Sequence, residues 1–177
     1  KVVTPTAVDG PRPLCCGRTF LNSGMVEEAN SEARRVIATL APYVKRGVPI
    51  VGLEPSCLLT LRDEFSAMLP GKETDALAER AMLFEEFLAM EWDAGRLDLP
   101  LRPLSQSRVL LHGHCHQKAF GLMSSVEKVL RWIPELEVET IGSSCCGMAG
   151  SFGYEAEHYE SSMQMAELSL LPAIREA

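Results

Sequence analysis

The sequence lacks long apolar runs, an excess of positive charge and a recognisable export signal. A helix that spans a bilayer needs about 18 to 20 apolar residues, and no run of this chain approaches that length. A net charge of −7 and a pI near 5.2 argue against nucleic acid or anionic lipid as the main partner. The opening stretch KVVTPTAVDG has no apolar h-region, so we expect no signal peptide. The sequence therefore predicts a soluble cytoplasmic protein, held at the inner membrane only where its partners bring it there.

Cysteine is present in quantity, but its distribution does not fit a disulfide framework. Such frameworks belong mostly to secreted chains too short to build a core, whereas 177 residues are enough for one. Four of the six cysteines stand in adjacent pairs, and neighbouring cysteines rarely bridge each other without strain. A metal or redox role is therefore favoured over structural disulfides. The six residues are Cys15, Cys16, Cys57, Cys115, Cys145 and Cys146.

Apolar runs alternate with helical patterns along the chain. Strands are predicted at residues 48–53, 108–113 and 136–142. Stripes with helical spacing lie at residues 26–44, 77–88, 122–133 and 156–170. This order predicts an α/β fold with a mostly parallel sheet flanked by helices. The Gly and Pro residues of LPGKETDALAE favour a division into residues 1–72 and 73–177, which together form one compact domain.

The tripeptide Cys-Cys-Gly occurs twice, at residues 15–17 and again 130 residues later at 145–147. At the same shift four further identities align, which are Glu27 with Glu157, Ser31 with Ser161, Leu40 with Leu170 and Pro42 with Pro172. We interpret this as an internal duplication that gives two Rossmann-like halves, each with a Cys-Cys-Gly loop. Because each copy ends early on its outer side, the chain is expected to be a fragment of a longer protein.

The positions of the cysteines favour thiolates that share a ligand. Cys57 and Cys115 directly follow predicted strands, and ligand groups of a parallel sheet gather beyond the carboxyl ends of its strands. Each Cys-Cys pair precedes a predicted helix, whose N-terminal N–H groups and dipole stabilise thiolates. The glycine after each pair permits a positive φ, which allows a tight turn in which both sulfurs face the same metal centre. These thiols predict an iron–sulfur cluster or a tetrahedral zinc ion.

Three histidines and a glutamate lie beside these cysteines. His112, His114 and His116 alternate, so on an extended backbone they share one face and Cys115 takes the other. We predict that at least one of them binds a metal or, as a cation, a carboxylate, with His114 and His116 as the candidate metal ligands. The alternative is that they hydrogen-bond to backbone carbonyls. Glu54 is a ligand, a proton acceptor or a helix cap.

Four stretches carry a resemblance to a known family: CCGRTFLNSGMVEEA, VGLEPSCLLTLRDEF, LLHGHCHQKA and SSCCGMAGSFGYEAEHYESSM. They resemble the cysteine-rich Cys-Cys-Gly domain of iron–sulfur oxidoreductases. That family includes the cysteine-rich component of heterodisulfide reductase and the iron–sulfur parts of glycolate oxidase and anaerobic glycerol-3-phosphate dehydrogenase. The resemblance is strongest to the C-terminal part of FAD-linked D-lactate or other 2-hydroxyacid dehydrogenases. It implies 4Fe–4S clusters on these cysteines, FAD on another domain or subunit, a ferredoxin-like partner segment and a downstream electron acceptor.

The sequence departs from this family at one position and stops before another. Cys57 is followed by Leu58, Leu59 and Thr60, so the second thiol of a Cys-x-x-Cys is absent. The cysteine that the family carries after its second pair would fall beyond Ala177. Cys115, Cys145 and Cys146 therefore form the better half-site, while Cys15, Cys16 and Cys57 form the poorer one.

Three classes of function follow. The first is an electron-transfer domain of a flavin-linked dehydrogenase or oxidase that acts on a D-2-hydroxyacid, inactive as this chain alone. The second is a thiol–disulfide reductase that works through a cluster, as in heterodisulfide reductase. The third is a structural domain held by zinc.

Overall fold

The computed structural model describes residues 1–143 and 145–177, which fall into two compact units. The first unit is Lys1–Glu91 and the second is Trp92–Ala177. Elements that begin in the first unit are α1 (Arg18–Asn22), α2 (Val26–Val44), β1 (Ile50–Gly52), α3 (Pro55–Arg62), α4 (Glu64–Met68), α5 (Lys72–Arg80), β2 (Ala81–Leu83) and α6 (Phe84–Asp93). Elements of the second unit are β3 (Arg108–Leu111), α7 (Cys115–Ala119), α8 (Met123–Leu130), β4 (Glu137–Thr140), two 3-10 turns (Phe152–Tyr154 and Ala156–His158), α9 (Tyr159–Glu167) and α10 (Leu170–Arg175).

Each unit contains its own two-stranded parallel sheet. Strand β1 pairs with β2, with Ile50 opposite Ala81, and β3 pairs with β4, with Arg108 opposite Glu137. The mixed α/β class is therefore confirmed, whereas one continuous, mostly parallel sheet is not what the described residues form. The strands predicted at 48–53, 108–113 and 136–142 are all present, each shorter than expected.

Strand β2 replaces the middle of the helix predicted over residues 77–88. Its Ala81 and Leu83 are buried because β2 pairs with β1 and packs on α3. A run of three residues is too short for its spacing alone to distinguish a strand from part of a helical stripe. The same contacts keep the chain after residue 72 in the first unit, since α5 packs on α2 and α3.

The core of the first unit lies between α2, α3 and β2. Helix α2 buries the stripe that the spacing predicted, including Ala29, Ala33, Val36 and Leu40. Helices α3 and α4 add fully buried side chains, of which Phe65 and Leu59 are the largest. These contacts give the first unit a packed base that does not depend on its cysteines.

A stretch without helix or strand, residues 8–14, lies along α2 and leads into the first cysteine pair; we call it the N-terminal strap. Arg35 of α2 holds the strap by donating to both carboxylate oxygens of Asp9, at 2.5 and 2.7 Å, and to the Pro13 carbonyl at 2.7 Å. The backbone N–H of Val8 donates to Thr39 Oγ1 at 3.2 Å. The strap is thus fixed by side chains of α2 rather than by a backbone ladder.

Replacing Asp9 by asparagine is expected to remove an acid-sensitive contribution to stability. The hydrogen bond from Arg35 holds the pKa of Asp9 below its ordinary value of 3.8. A carboxyl with a lowered folded-state pKa stabilises the fold above its unfolded-state pKa and loses that effect as the pH falls through the folded-state value. Wild type should therefore lose stability below about pH 4, while Asp9→Asn starts lower and declines less. Urea unfolding at pH 7 and pH 3 measures this, and parallel declines in the two proteins would contradict it.

Candidate metal centres

The first cysteine pair lies in a tight turn between the N-terminal strap and α1. Gly17 is the N-cap of α1 with φ +77°, and its N–H donates to Cys15 Sγ at 3.4 Å. A Cβ at Gly17 would lie 3.1 Å from the Ala29 carbonyl oxygen, so the turn sits close against α2. The predicted helix after the pair and the positive φ of its glycine are both present.

Cys57 lies in the first turn of α3, directly after β1. Pro55 occupies the first helical position, where its missing N–H costs no hydrogen bond. Glu54 is the N-cap, and its Oε2 accepts from the Cys57 N–H at 2.5 Å. Of the three roles open for Glu54, the capping role is therefore observed.

Cys15, Cys16 and Cys57 line one cleft of about 350 Å³. Glu54 also lines it, and the rest of the wall is mainly apolar, with Leu14, Val36, Leu40, Ile50, Val51, Leu53, Leu58 and Leu61. Cys57 is exposed and the other two cysteines are half-buried. The first unit thus brings its three predicted ligands together at one open, thiol-rich surface.

Partial burial and the neighbouring groups of this cleft hold Cys57 as a thiol while no metal is bound. Partial burial of the sulfur raises the pKa of Cys57, and the neighbouring Cys16 and Glu54 raise it further. Partial burial pushes the pKa of Glu54 upward, but hydrogen bonds from Cys57 and Ser56 outweigh this and lower it. A bound cation would compete for both groups, so metal binding here should release a proton from Cys57.

Replacing Glu54 by glutamine should speed the alkylation of Cys57. Without the carboxylate charge the pKa of Cys57 falls, and a larger thiolate fraction reacts faster at a given pH. Glutamine keeps an oxygen that can accept from the Cys57 N–H, so the start of α3 is preserved. We expect a rise of about threefold to tenfold at pH 8, measured by mass spectrometry of the iodoacetamide-treated chain. Glu73→Gln, which alters an exposed side chain of α5, should leave the rate unchanged.

The second cysteine pair adopts the same local turn as the first. The Gly147 N–H donates to Cys145 Sγ at 3.3 Å, and Gly147 has φ +85°. A Cβ at Gly147 would approach the Ser162 carbonyl oxygen closer than the 3.0 Å that real Cβ atoms keep. The helix predicted directly behind this pair is not there, because two 3-10 turns intervene before α9 begins at Tyr159.

Cys115 is the first residue of α7, after β3. Because β3 and β4 are parallel, the chain leaves both strands at the same edge of their sheet, toward Cys115 and toward the Cys145–Cys146 turn. Cys115 is exposed, and Cys145 and Cys146 are half-buried. The topology therefore favours the second predicted ligand set, although it fixes no distance between Cys115 and the pair.

The three histidines do not share one face of an extended segment, since α7 begins between them. His114 is the N-cap of α7, and its Nδ1 accepts from the His116 N–H at 3.2 Å. The two rings stack with centroids 5.4 Å apart. His112 Nδ1 lies 2.6 Å from Ser143 Oγ, and burial, with Lys118 and His114 nearby, lowers the pKa of His112. Hydrogen bonding thus occupies one nitrogen each of His112 and His114, and metal binding by His114 or His116 stays a prediction.

A separate trio that the sequence pattern did not single out is Glu155, Glu157 and His158. Among the described residues it is the only group of three potential ligands whose donor atoms lie within 4.8 Å of one another. No three cysteine sulfurs of the described chain therefore approach that closely. A zinc ion with Zn–S bonds of about 2.3 Å needs its sulfurs within about 4 Å of each other. The sulfurs of the described cysteines do not form such a closely spaced group of three.

Comparison of the sequence with known protein families gives a match that includes the first cysteine turn. Residues 2–62, which end with α3, match the family of cysteine-rich domains named CCG. This part of the chain is similar to a CCG domain. The matched span includes Cys15, Cys16, Gly17 and Cys57, so the family resemblance of the sequence is confirmed.

Curated relatives extend the similarity beyond the CCG match. One component of anaerobic glycerol-3-phosphate dehydrogenase from Escherichia coli is 31% identical over 149 residues, which are 84% of this chain and 37% of that protein. D-2-hydroxyglutarate dehydrogenase from Escherichia coli is 31% identical over 150 residues, 82% of this chain and 14% of that protein. Lactate utilization protein A 1 from Bacillus mycoides is 28% identical over 170 residues, 90% of this chain and 65% of that protein.

These relatives are dehydrogenase components or a lactate utilization protein, which supports an oxidoreductase-associated role for this chain. The chain spans about a third of the first relative and about a seventh of the hydroxyglutarate enzyme. No solved structure matches the chain. None of the helices in the described part of the chain has the length and apolar character that a bilayer span requires.

Proposed function

We propose that this chain is an iron–sulfur electron-transfer domain of a flavin-linked dehydrogenase that oxidises a D-2-hydroxyacid such as lactate or glycolate. The observation that carries the proposal is the cleft of the first unit, where Cys15, Cys16 and Cys57 meet. The hydroxyacid class is supported by relatives named for 2-hydroxyglutarate and lactate. The relative named for glycerol-3-phosphate leaves another alcohol substrate as the alternative to test.

The donor set fits a 4Fe–4S cluster. Iron–sulfur clusters take thiolate ligands, and six thiols stand in two sets of three. Cys15, Cys16 and Cys57 would hold one cluster, and Cys115, Cys145 and Cys146 the other, with any remaining ligands from elsewhere in the assembly. A bound cluster would supply one-electron transfer. The chain's own part is to aim the sulfurs from tight turns and to surround the first set with apolar side chains, which limit access of water.

The alternative function, a thiol–disulfide reductase that works through a cluster, has less support because the first unit lacks a fourth thiol. Thr60 stands where a fourth thiol would be expected, and it is fully buried. Its hydroxyl donates to the Ser56 carbonyl at 2.7 Å and accepts from Arg18 at 3.3 Å. A hydrogen-bonded hydroxyl in that position cannot serve as a redox thiol.

The two units are proposed to descend from one duplicated, Rossmann-like half. Support comes from the matching glycine-to-sulfur hydrogen bonds at Gly17 and Gly147 and from one parallel strand pair in each unit. In the assembled enzyme, FAD would lie on another domain or subunit, and a ferredoxin-like segment would pass electrons through this domain to an acceptor. The cytoplasm, or the inner membrane surface through those partners, is the proposed location.

Anaerobic reconstitution with iron and sulfide tests the proposal. Bound iron and acid-labile sulfide in equal amounts, with an EPR signal on reduction, would support it. The measurement should be made on this chain and on one extended past Ala177, because a ligand beyond the end would raise the occupancy only in the longer chain. Stoichiometric zinc with no paramagnetic species in either chain would overturn the proposal and favour a structural metal domain.

A further inference from the structure

In each unit, a cationic side chain donates a hydrogen bond to the backbone carbonyl two residues before the cysteine pair. In the first unit Arg35 Nη1 donates to the Pro13 carbonyl at 2.7 Å. In the second unit Lys118 Nζ donates to the Ser143 carbonyl at 2.9 Å. Pro13 and Ser143 each stand two residues before the first cysteine of a pair. The contact therefore recurs at the entrance to each Cys-Cys-Gly turn, although the cations come from α2 in one unit and α7 in the other.

Both contacts are partly buried. Arg35 is 7% exposed and also donates to the Arg12 carbonyl, so it holds two successive carbonyls of the strap. Ser143 is 6% exposed, and its hydroxyl meets His112 Nδ1 at 2.6 Å. Lys118 is half-buried. A hydrogen bond from a charged donor is among the stronger kinds, and its loss leaves the carbonyl without that partner.

We propose that Arg35 and Lys118 are equivalent positioning residues, each of which holds the backbone carbonyl two residues before one cysteine pair and thereby limits the movement of that pair. The inference rests on the proposed function insofar as the turns are to hold a cluster, but the positioning itself exists in the metal-free chain. Fixing this leading segment sets where the sulfurs point and reduces the ordering that binding must supply.

The role of Arg35 is geometric rather than electrostatic. Its charge is balanced by Asp9, which it contacts at 2.5 Å, and by Glu32 at 3.5 Å. A lysine at position 35 would keep the positive charge but lacks the planar fork that serves several acceptors at once. Arg35→Lys is therefore expected to position the turn only in part. Comparing it with wild type distinguishes the effect of the hydrogen-bond geometry from the effect of the charge.

The test compares Arg35→Met and Lys118→Met with matched controls in the full chain. Arg34→Met removes an exposed charge from the same helix as Arg35, and Lys128→Met removes a surface lysine that pairs with Asp93 in the second unit. The first readout is the alkylation rate of each cysteine in the metal-free chain, resolved by mass spectrometry. The second is the iron retained after reconstitution. Circular dichroism establishes that each variant is folded.

Each variant should loosen its own turn and no other. Arg35→Met should speed alkylation of Cys15 and Cys16 by at least about tenfold, because a single hydrogen bond from a charged group has that effect on a local opening equilibrium and Arg35 makes several. Lys118→Met should do the same for Cys145 and Cys146, and Lys118→Arg should restore the wild-type rate. If Arg35→Met does not fold, the test is made with Arg35→Lys and with the two variants Lys118→Met and Lys118→Arg.

The outcomes separate this inference from the proposed function. If wild type takes up no iron and yet the alkylation changes are specific to each pair, the cluster proposal fails and the positioning role stands. If wild type takes up iron but folded variants alkylate at wild-type rates, the positioning role is overturned. Equal acceleration of both pairs in every variant, controls included, would also overturn it.

Discussion

Replacing Gly147 by alanine should destabilise the second unit by about 3 kcal/mol or more and prevent its cysteine turn from forming. The backbone at Gly147 has φ +85°, a left-handed conformation that costs a residue with a side chain about 1–2 kcal/mol. The added Cβ would also collide with the Ser162 carbonyl oxygen. Because that oxygen belongs to the backbone of α9, relief requires the helix or the turn to move, and overpacking of this kind costs about 1–3 kcal/mol. Denaturant unfolding of the metal-free chain measures the loss.

Two other glycines separate the conformational effect from the collision. Gly150 has φ +70°, and a methyl group placed there would have no atom within 4 Å, so Gly150→Ala should show the conformational cost alone. Gly17 has φ +77° with its nearest contact at 3.1 Å, so Gly17→Ala should fall between the two. Equal losses for Gly147→Ala and Gly150→Ala would show that the approach to Ser162 contributes nothing.

The sequence was most informative where the chemistry is local. Two thiols followed by a glycine suggested a sharp turn with positive φ, and both turns have it at Gly17 and Gly147. The conformation depends on three adjacent residues, so no distant contact was needed to infer it. The glycine N–H that donates back to the first sulfur of each pair is a consequence of the same turn.

Two predictions were wrong because the spacing of apolar or like residues does not reveal the hydrogen-bonding partner that decides the structure. The stripe over 77–88 has helical spacing, yet Ala81–Leu83 forms a strand because β1 is there to pair with it. Similarly, histidine at every second position suggested an extended backbone through His112, His114 and His116. A cap at His114 and the Gln117 side chain, which accepts from the His114 N–H at 3.2 Å, start a helix instead. Spacing alone contains neither the partner strand nor the reciprocal cap.

The residues that hold the turns were not visible in the sequence either. Arg35 lies on a helix rich in charge, where a charged residue is most simply interpreted as solvated, and it is buried only because the strap folds over it. Aligning the two copies could have located the shared carbonyl position, but not the cations, since Arg35 follows its cysteine pair and Lys118 precedes its own. The two units thus share the turn while different elements support it.

Serine at a paired cysteine should remove the cluster from one unit and leave the other loaded. Serine is nearly isosteric with cysteine but is a poor ligand for iron compared with a thiolate. We expect Cys16→Ser and Cys146→Ser each to lose about half of the iron that wild type binds, if each unit holds one cluster.

Each of these two variants is the control for the other, because the EPR signal that survives in one should be the signal that is lost in the other. Unfolding of the metal-free chains should stay within about 1 kcal/mol of wild type, since Phe65 and its neighbours form a core apart from the thiols. A serine variant that unfolds at room temperature would instead assign the metal a structural role. Loss of all iron in either variant would contradict one independent cluster in each unit.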